Sequence, residues 1–98
     1  FTICNRFGQA LFSANTHEWY KDTPVEIPAE QELSAEFSFR MPMLPAGDYS
    51  IATSFAEGTY EAHQQHHWNH EAMIFKSTNH VPLGLIGVPM DTVKLSVI

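Results

Sequence analysis

The sequence is poor in basic residues and has no long apolar run. Five Lys and Arg residues stand against eleven Asp and Glu residues, so the formal net charge is −6. Because this balance repels phosphate groups, and because the basic residues form no cluster, nucleic acid and anionic membranes are poor candidates as partners. No run reaches the roughly 18 apolar residues that a membrane-spanning helix requires.

Cysteine is almost absent, and so are the short motifs of common enzymes. The single cysteine, Cys4, cannot form an internal disulfide bond, which favours a reducing cytoplasm, and we expect its thiol to pack as a small core hydrophobe. No basic segment followed by an apolar one opens the chain, so we expect no signal peptide. The phosphate-binding loop, the dinucleotide-binding glycine motif and the nucleophile elbow are missing. We therefore expect no catalytic residues and no cofactor.

What the chain does contain is enough apolar bulk for one core. It has 98 residues, of which 44% are hydrophobic, including seven Phe, three Tyr and two Trp. This length fits a single domain, residues 1–98, and the opening Phe1 suggests a C-terminal piece of a longer chain.

Alternating apolar and polar side chains predict strands, and no stretch has the periodicity of an amphipathic helix. The expected strands are Phe1–Arg6, Ala10–Ser13, Leu33–Met41, Tyr49–Glu57, Met73–Lys76, Gly84–Pro89 and Val93–Ile98. Met73–Lys76 is apolar on both faces, which predicts a central strand. Phe7-Gly8-Gln9 predicts a hairpin turn, and the polar stretch 15–22 predicts a loop. The fold class is therefore all-β.

The segment from Leu44 to Tyr49 is typical of the tyrosine corner of immunoglobulin-like sandwiches. In that motif the phenol hydrogen-bonds the backbone of the preceding Pro/Gly turn. If Leu33–Met41 is strand E and Tyr49–Glu57 is strand F, the opening hairpin takes the places of strands C and C′. We therefore expect an immunoglobulin-like β-sandwich that is incomplete at its N-terminal strands and has open edges.

Four histidines between His63 and His70 are spaced at i, i+3, i+4 and i+7. On a helix this spacing would align four imidazoles, as a metal-dependent enzyme requires. The segment has Gly58 before it and no apolar stripe, however, so a solvated loop is the simpler interpretation, and we expect no metal site. A third interpretation is sugar recognition, because aromatic planes stack on pyranose rings and short polar side chains bind hydroxyl groups.

Candidate sugar-binding residues follow from this chemistry. We place the contacts on the sheet that contains the opening hairpin and strand F, where small outward residues leave room for a ring. The candidates are Arg6, Trp19, Ser54, Glu57, His66 and Trp68. Trp19 is expected to close one side of this site from its loop.

Four strings in order carry a resemblance to a known family. They are the segments 40–49 (RMPMLPAGDY), 56–59 (AEGT), 65–72 (QHHWNHEA) and 84–90 (GLIGVPM). Together they resemble the C-terminal domain of Wzt, the nucleotide-binding subunit of O-antigen ABC transporters, over nearly the whole chain. The ATPase domain and the first strands of the binding domain have no counterpart here.

The resemblance implies a non-catalytic domain that binds finished O-polysaccharide before export. It also implies a homodimer with exchanged strands, contact with the transporter's membrane subunit through the parent chain, and a cytoplasmic location at the inner face of the bacterial inner membrane. A metal-dependent enzyme built on the His63–His70 cluster and a structural dimerisation module are the alternatives.

Overall fold

The computed structural model describes residues 1–28, 30–58 and 63–97. Within these residues the regular elements are β1 (Thr2–Asn5), β2 (Ala10–Ser13), α1 (His17–Tyr20), β3 (Gly47–Gly58) and β4 (His63–Ser77). All strand pairs are antiparallel, and the sheet order is β2-β1-β3-β4. The predicted all-β class is confirmed. None of the helical structure in the described ranges is long and apolar enough to cross a membrane.

The turn between β1 and β2 is held by the side chain of Asn5. Its Oδ1 accepts hydrogen bonds of 3.0 Å from the backbone N–H groups of Phe7 and Gln9. Gly8 has φ +78°, a left-handed conformation that glycine adopts without steric cost. The predicted hairpin is confirmed.

The start of β3 is fixed by the predicted tyrosine corner, which is also confirmed. The hydroxyl of Tyr49 donates a 2.6 Å hydrogen bond to the carbonyl oxygen of Pro45. The Tyr49 ring stacks on Phe75, with 5.6 Å between centroids. Ser77 closes the same region, because its hydroxyl donates a 2.7 Å bond to the carbonyl oxygen of the buried Leu44.

One face of the sheet carries the apolar core. Ile3 and Leu44 are each 1% exposed, and Tyr49 is buried beside them. The partly buried hydrophobic residues packed around them are Phe1, Leu11, Phe12, Ile51 and Phe75. Because side chains alternate along a strand, the neighbours of these residues in β1 and β3 point to the opposite face, which we call the outer face.

The β3–β4 ladder contains two irregularities. Ile51 pairs with Met73 and Thr53 pairs with Asn69, so residues 70–72 of β4 lie opposite the single residue Ala52. A further shift lies between the pairs Phe55–His67 and Ala56–Gln65. Such bulges bend a strand and increase its twist.

Leu33–Met41 forms no hydrogen-bonded ladder, so the prediction of a strand there is wrong. The alternating apolar side chains of this segment nevertheless pack against the sheet. The rings of Phe37 and Phe39 lie 5.0 and 5.4 Å from the ring of Phe1, and Phe39 also contacts Phe12 edge-on. The segment therefore lies across the apolar face of the sheet, held by side chains rather than by backbone pairing.

The predictions for the C-terminal third also need correction. Met73–Lys76 belongs to β4, which lies at the sheet edge instead of its centre, because no strand in the described ranges pairs with its other side. Gly84–Pro89 contributes one isolated bridge, between Gly87 and Met43, and residues 93–97 form no strand. Ile98 lies outside the described residues. An ion pair of 2.7 Å between Arg40 and Asp91 also connects this part of the chain to the segment 33–41.

The order β2-β1-β3-β4 is the order of strands C′, C, F and G in an immunoglobulin-like sandwich. The second layer of such a sandwich has no ladder in the parts of the chain described here. The sandwich therefore stays a prediction.

Candidate functional site

A groove of about 540 Å³ lies on the outer face of the sheet. Its floor is made by short side chains of β1 and β3, namely Thr2, Cys4, Ser50 and Ala52. The register explains their proximity, since Thr2 pairs with Ala52 and Cys4 pairs with Ser50. Paired residues of an antiparallel ladder share a face, and small side chains there leave room for a ligand ring.

One wall of the groove is an aromatic pair on β4. The Trp68 indole Nε1–H donates a 2.8 Å hydrogen bond to Nδ1 of His70, and the two ring centroids are 5.4 Å apart. This bond requires that Nδ1 of His70 carries no proton. Because the partner fixes the indole, Trp68 presents a half-exposed apolar plane whose polar N–H is already satisfied. Such a plane suits stacking better than hydrogen bonding.

Charged side chains also line the groove. The Arg6 guanidinium sits 4.6 Å from the centre of the Phe7 ring, a cation–π contact that holds it at the hairpin. Two carboxylates, Asp48 and Glu71, also line the groove. Asp48 also lies 3.9 Å from the Lys76 ammonium group. One guanidinium and two carboxylates give donors and acceptors for hydroxyl groups without forming a basic patch.

The structure brings together only some of the six candidate residues. Arg6 and Trp68 both line the groove. Ser54 pairs directly with Trp68 in the ladder but is not among the lining residues. The side chains of Glu57 and His66 lie outside the described part of the structure. Trp19 lies in a separate depression and does not close a side of this groove, contrary to expectation.

The sequence carried a signal for several lining residues that we did not select. Strand alternation already placed Ser50 and Ala52 on the same face as Ser54. The expectation that Cys4 packs in the core is wrong, because Cys4 follows the buried Ile3 and therefore points to the outer face, where it is half-buried. His70 was visible as part of the histidine cluster, but its bond to Trp68 depends on the strand conformation.

The second depression, of about 520 Å³, lies on the side of the sheet that carries the core. Its aromatic lining residues are Phe1, Phe12, Trp19, Tyr20, Phe37 and Phe39. The helical turn α1 carries Trp19 and Tyr20, since both backbone N–H groups donate 3.2 Å bonds to the Thr16 carbonyl oxygen. The predicted loop therefore contains one ordered turn. Polar groups at this depression include Glu36 and Ser38.

The His63–His70 stretch belongs to β4, so it is neither the predicted loop nor the helix that a metal site would need. The i, i+3, i+4, i+7 spacing brings side chains to one face of a helix, so the helical interpretation on which the metal-dependent enzyme rested is wrong. No three His, Cys, Asp or Glu side chains within the described ranges lie close enough together to hold a metal ion.

Comparison with known proteins identifies a family for this chain. Neither the curated proteins nor the solved structures contain a match to this chain. A family model described as the Wzt C-terminal domain matches residues 1–88, which include β1–β4 and both depressions. The chain thus belongs to the Wzt C-terminal domain family.

Proposed function

We propose that the outer-face groove binds O-polysaccharide, without altering it, for recognition before export. The family links the chain to the O-antigen ABC transporter and is not a known enzyme family. In this proposal the domain works in the cytoplasm, at the inner face of the bacterial inner membrane, and reaches the transporter's membrane subunit through its parent chain.

The observation that carries the proposal is the position of Trp68 beside a floor of short side chains. The indole plane offers a stacking surface for the CH face of a pyranose ring. Ser50 and Thr2 offer hydroxyl groups in the floor of the same groove, and Arg6 offers guanidinium donors there. This combination of an apolar plane with a few convergent polar groups is typical of a binding site.

The first test is a glycan array made of O-polysaccharides released from bacterial lipopolysaccharides. We expect at least one neutral polysaccharide to bind, and Trp68→Ala to weaken that binding by about tenfold or more, as for other aromatic anchors. Val25→Ala is the matched control, because Val25 is exposed and lines neither depression. Equal affinity for the two variants, with both folded, would contradict the proposed role of Trp68.

The thiol of Cys4 provides an independent test, because it is the chain's only cysteine and lies in the groove floor. A polysaccharide bound in the groove should slow alkylation of Cys4 by a bulky maleimide. In a Cys4→Ser, Val25→Cys variant the thiol lies outside the groove, and its alkylation should be unaffected by the same polysaccharide. Protection of neither thiol by a polysaccharide that binds would place the glycan elsewhere on the domain.

Exposed apolar residues favour a second function for the same chain, self-association. Val93, Leu95 and Val97 alternate with polar residues and are almost fully exposed, Leu95 at 97%. The outer edge of β4 is also unpaired within the described ranges. A homodimer in which strands are exchanged would cover both surfaces.

Light scattering at several concentrations tests this second proposal. We expect a dimer for the unaltered chain and a monomer for a Leu95→Lys, Val97→Lys variant, because charged side chains cannot be buried in the interface without a partner. A monomer at all concentrations for the unaltered chain would rule out a stable dimer.

A further inference from the structure

Four residues of the outer-face groove form a row that crosses the whole sheet. Ala10 of β2 pairs with Cys4 of β1. Cys4 also pairs with Ser50 of β3, and Ser50 pairs with Ile74 of β4. All four residues line the groove. Because directly paired residues of an antiparallel ladder share a face, their side chains stand side by side on a line that crosses the strands, which we call the transverse row.

The transverse row is low over three of the four strands. Ala10, Cys4 and Ser50 have short side chains, which leave space above the backbone. Ile74, at the β4 end of the row, is larger and 65% exposed. The row is therefore a shallow channel with an apolar side chain at its β4 end.

Longer side chains stand on both sides of this channel. Arg6 comes two residues after Cys4, Asp48 comes two residues before Ser50, and both line the groove. Because β1 and β3 are antiparallel, both lie on the same side of the row. Trp68 lies on the other side, since it pairs with a residue that follows Ser50 along β3. A long ligand that follows the channel therefore lies across the strands, between the indole and the two charged side chains.

The length of the channel follows from the spacing of the strands. Neighbouring strands of a sheet lie about 4.8 Å apart, so a row over four strands is about 14 Å long. Each pyranose unit of a linear polysaccharide extends the chain by close to one strand spacing. The channel therefore has room for about three units, one over each gap between neighbouring strands.

We propose that the groove binds about three consecutive sugar units, with the polysaccharide lying across the strands from Ile74 to Ala10. The inference rests on the proposed function and adds to it the size and the direction of the bound segment. Trp68 belongs to β4, so the unit that stacks on the indole lies at the Ile74 end. The unit farthest from the indole lies over the gap between β1 and β2, beside Ala10.

Fragments of increasing length test the size of the bound segment. The probe is a series from monosaccharide to hexasaccharide, cut from the O-polysaccharide with the strongest array signal, and titration calorimetry measures each affinity. We expect the affinity to rise by about tenfold or more from the monosaccharide to the trisaccharide, because each unit adds contacts in the channel. Longer fragments should gain only the statistical factor of having more trisaccharide segments that can bind.

Ala10→Ile tests the direction of the bound segment. The branched side chain suits a strand, raises the channel floor at its β2 end and offers no aromatic plane to a sugar. We expect the affinity to stop rising at the disaccharide in this variant, because the third unit has no space. Ser34→Ile is the matched control, since Ser34 is exposed and lines neither depression, and its affinity should stop rising at the trisaccharide.

Alkylation of Cys4 tests the direction in the unaltered chain, so it decides the question even if Ala10→Ile does not fold. Cys4 lies on β1, two strands away from Trp68. A monosaccharide stacked on the indole should leave the Cys4 thiol open to a maleimide. A trisaccharide that crosses the sheet should cover the thiol and slow the reaction.

Two results would overturn the inference and leave the proposed function standing. If Ala10→Ile and Ser34→Ile lose affinity gain at the same fragment length, and the trisaccharide does not protect Cys4, the polysaccharide does not cross the sheet. If the monosaccharide binds as tightly as the trisaccharide, the groove holds a single unit. If neither the fragments nor the polysaccharide bind, the proposed function fails and this inference fails with it.

Discussion

The Tyr49 hydroxyl and the Pro45 carbonyl oxygen are 2.6 Å apart, and they join the first residues of β3 to the turn that precedes it. The bond fixes the direction in which β3 leaves the corner. β3 in turn carries Ser50 and Ala52 in the groove floor and pairs through Ser54 with Trp68. The corner therefore positions the candidate site although it contributes no donor group to a ligand.

Tyr49→Phe removes this bond and keeps the ring. We expect the free energy of unfolding to fall by about 1–2 kcal/mol, because the Pro45 carbonyl loses its partner while the stack on Phe75 remains. Urea denaturation measures the change. Tyr20→Phe is the matched control, since Tyr20 is half-exposed, and its effect should be close to zero. Equal effects of the two substitutions would show that the corner bond contributes nothing to stability.

Gly87 lies against Met43 so closely that a side chain has no space. A Cβ at position 87 would lie 2.8 Å from the Met43 Cβ and 3.3 Å from Val81 Cγ2. We expect Gly87→Ala to destabilise the fold by about 1–3 kcal/mol, as overpacking does elsewhere, measured by thermal unfolding. Adding Met43→Gly should recover part of the loss, because it removes the clashing Cβ. If the double variant is no more stable than Gly87→Ala, the contact with the Met43 Cβ is not the cause of the destabilisation.

The bond between His70 and Trp68 fixes the stacking plane before a ligand arrives. His70→Ala should leave the indole free to rotate, so we expect glycan affinity to fall by about threefold to tenfold, the cost of ordering one side chain on binding. If Trp19→Phe is added, all indole fluorescence comes from Trp68, and its emission should show that His70→Ala exposes the Trp68 indole to more water. His80→Ala is the control, because His80 is exposed and lines neither depression. If His70→Ala leaves the glycan affinity unchanged, the hydrogen bond from Trp68 to His70 does not contribute to binding.

The features predicted correctly are those that local chemistry determines. The Phe7-Gly8-Gln9 hairpin needs a left-handed residue, and Gly8 supplies it. The corner needs a tyrosine after a Pro/Gly turn, and Tyr49 supplies it. Neither depends on a distant partner, so the sequence alone was sufficient for both.

The features predicted wrongly depend on partners that alternation cannot reveal. Leu33–Met41 has the side-chain pattern of a strand, but a ladder also needs a neighbouring backbone, and none of the described residues offers one. Residues 63–70 are polar apart from Trp68, which favours a loop, yet they pair with β3 as an extended strand. The two tryptophans were placed in one site because sequence distance gives no information about which side of a sheet a loop reaches.

The bulge of residues 70–72 opposite Ala52 has a consequence for how this domain tolerates changes in length. A regular ladder would place one β4 residue opposite Ala52, and the bulge places three there. Because the two extra positions are an even number, the alternation of side chains is preserved, and Ile74 and Trp68 both stay on the side that forms the groove. Deleting one residue there would turn the indole toward the opposite surface, whereas deleting two would shorten the strand and keep the indole where it is. Length variation at this point should therefore be accepted in pairs.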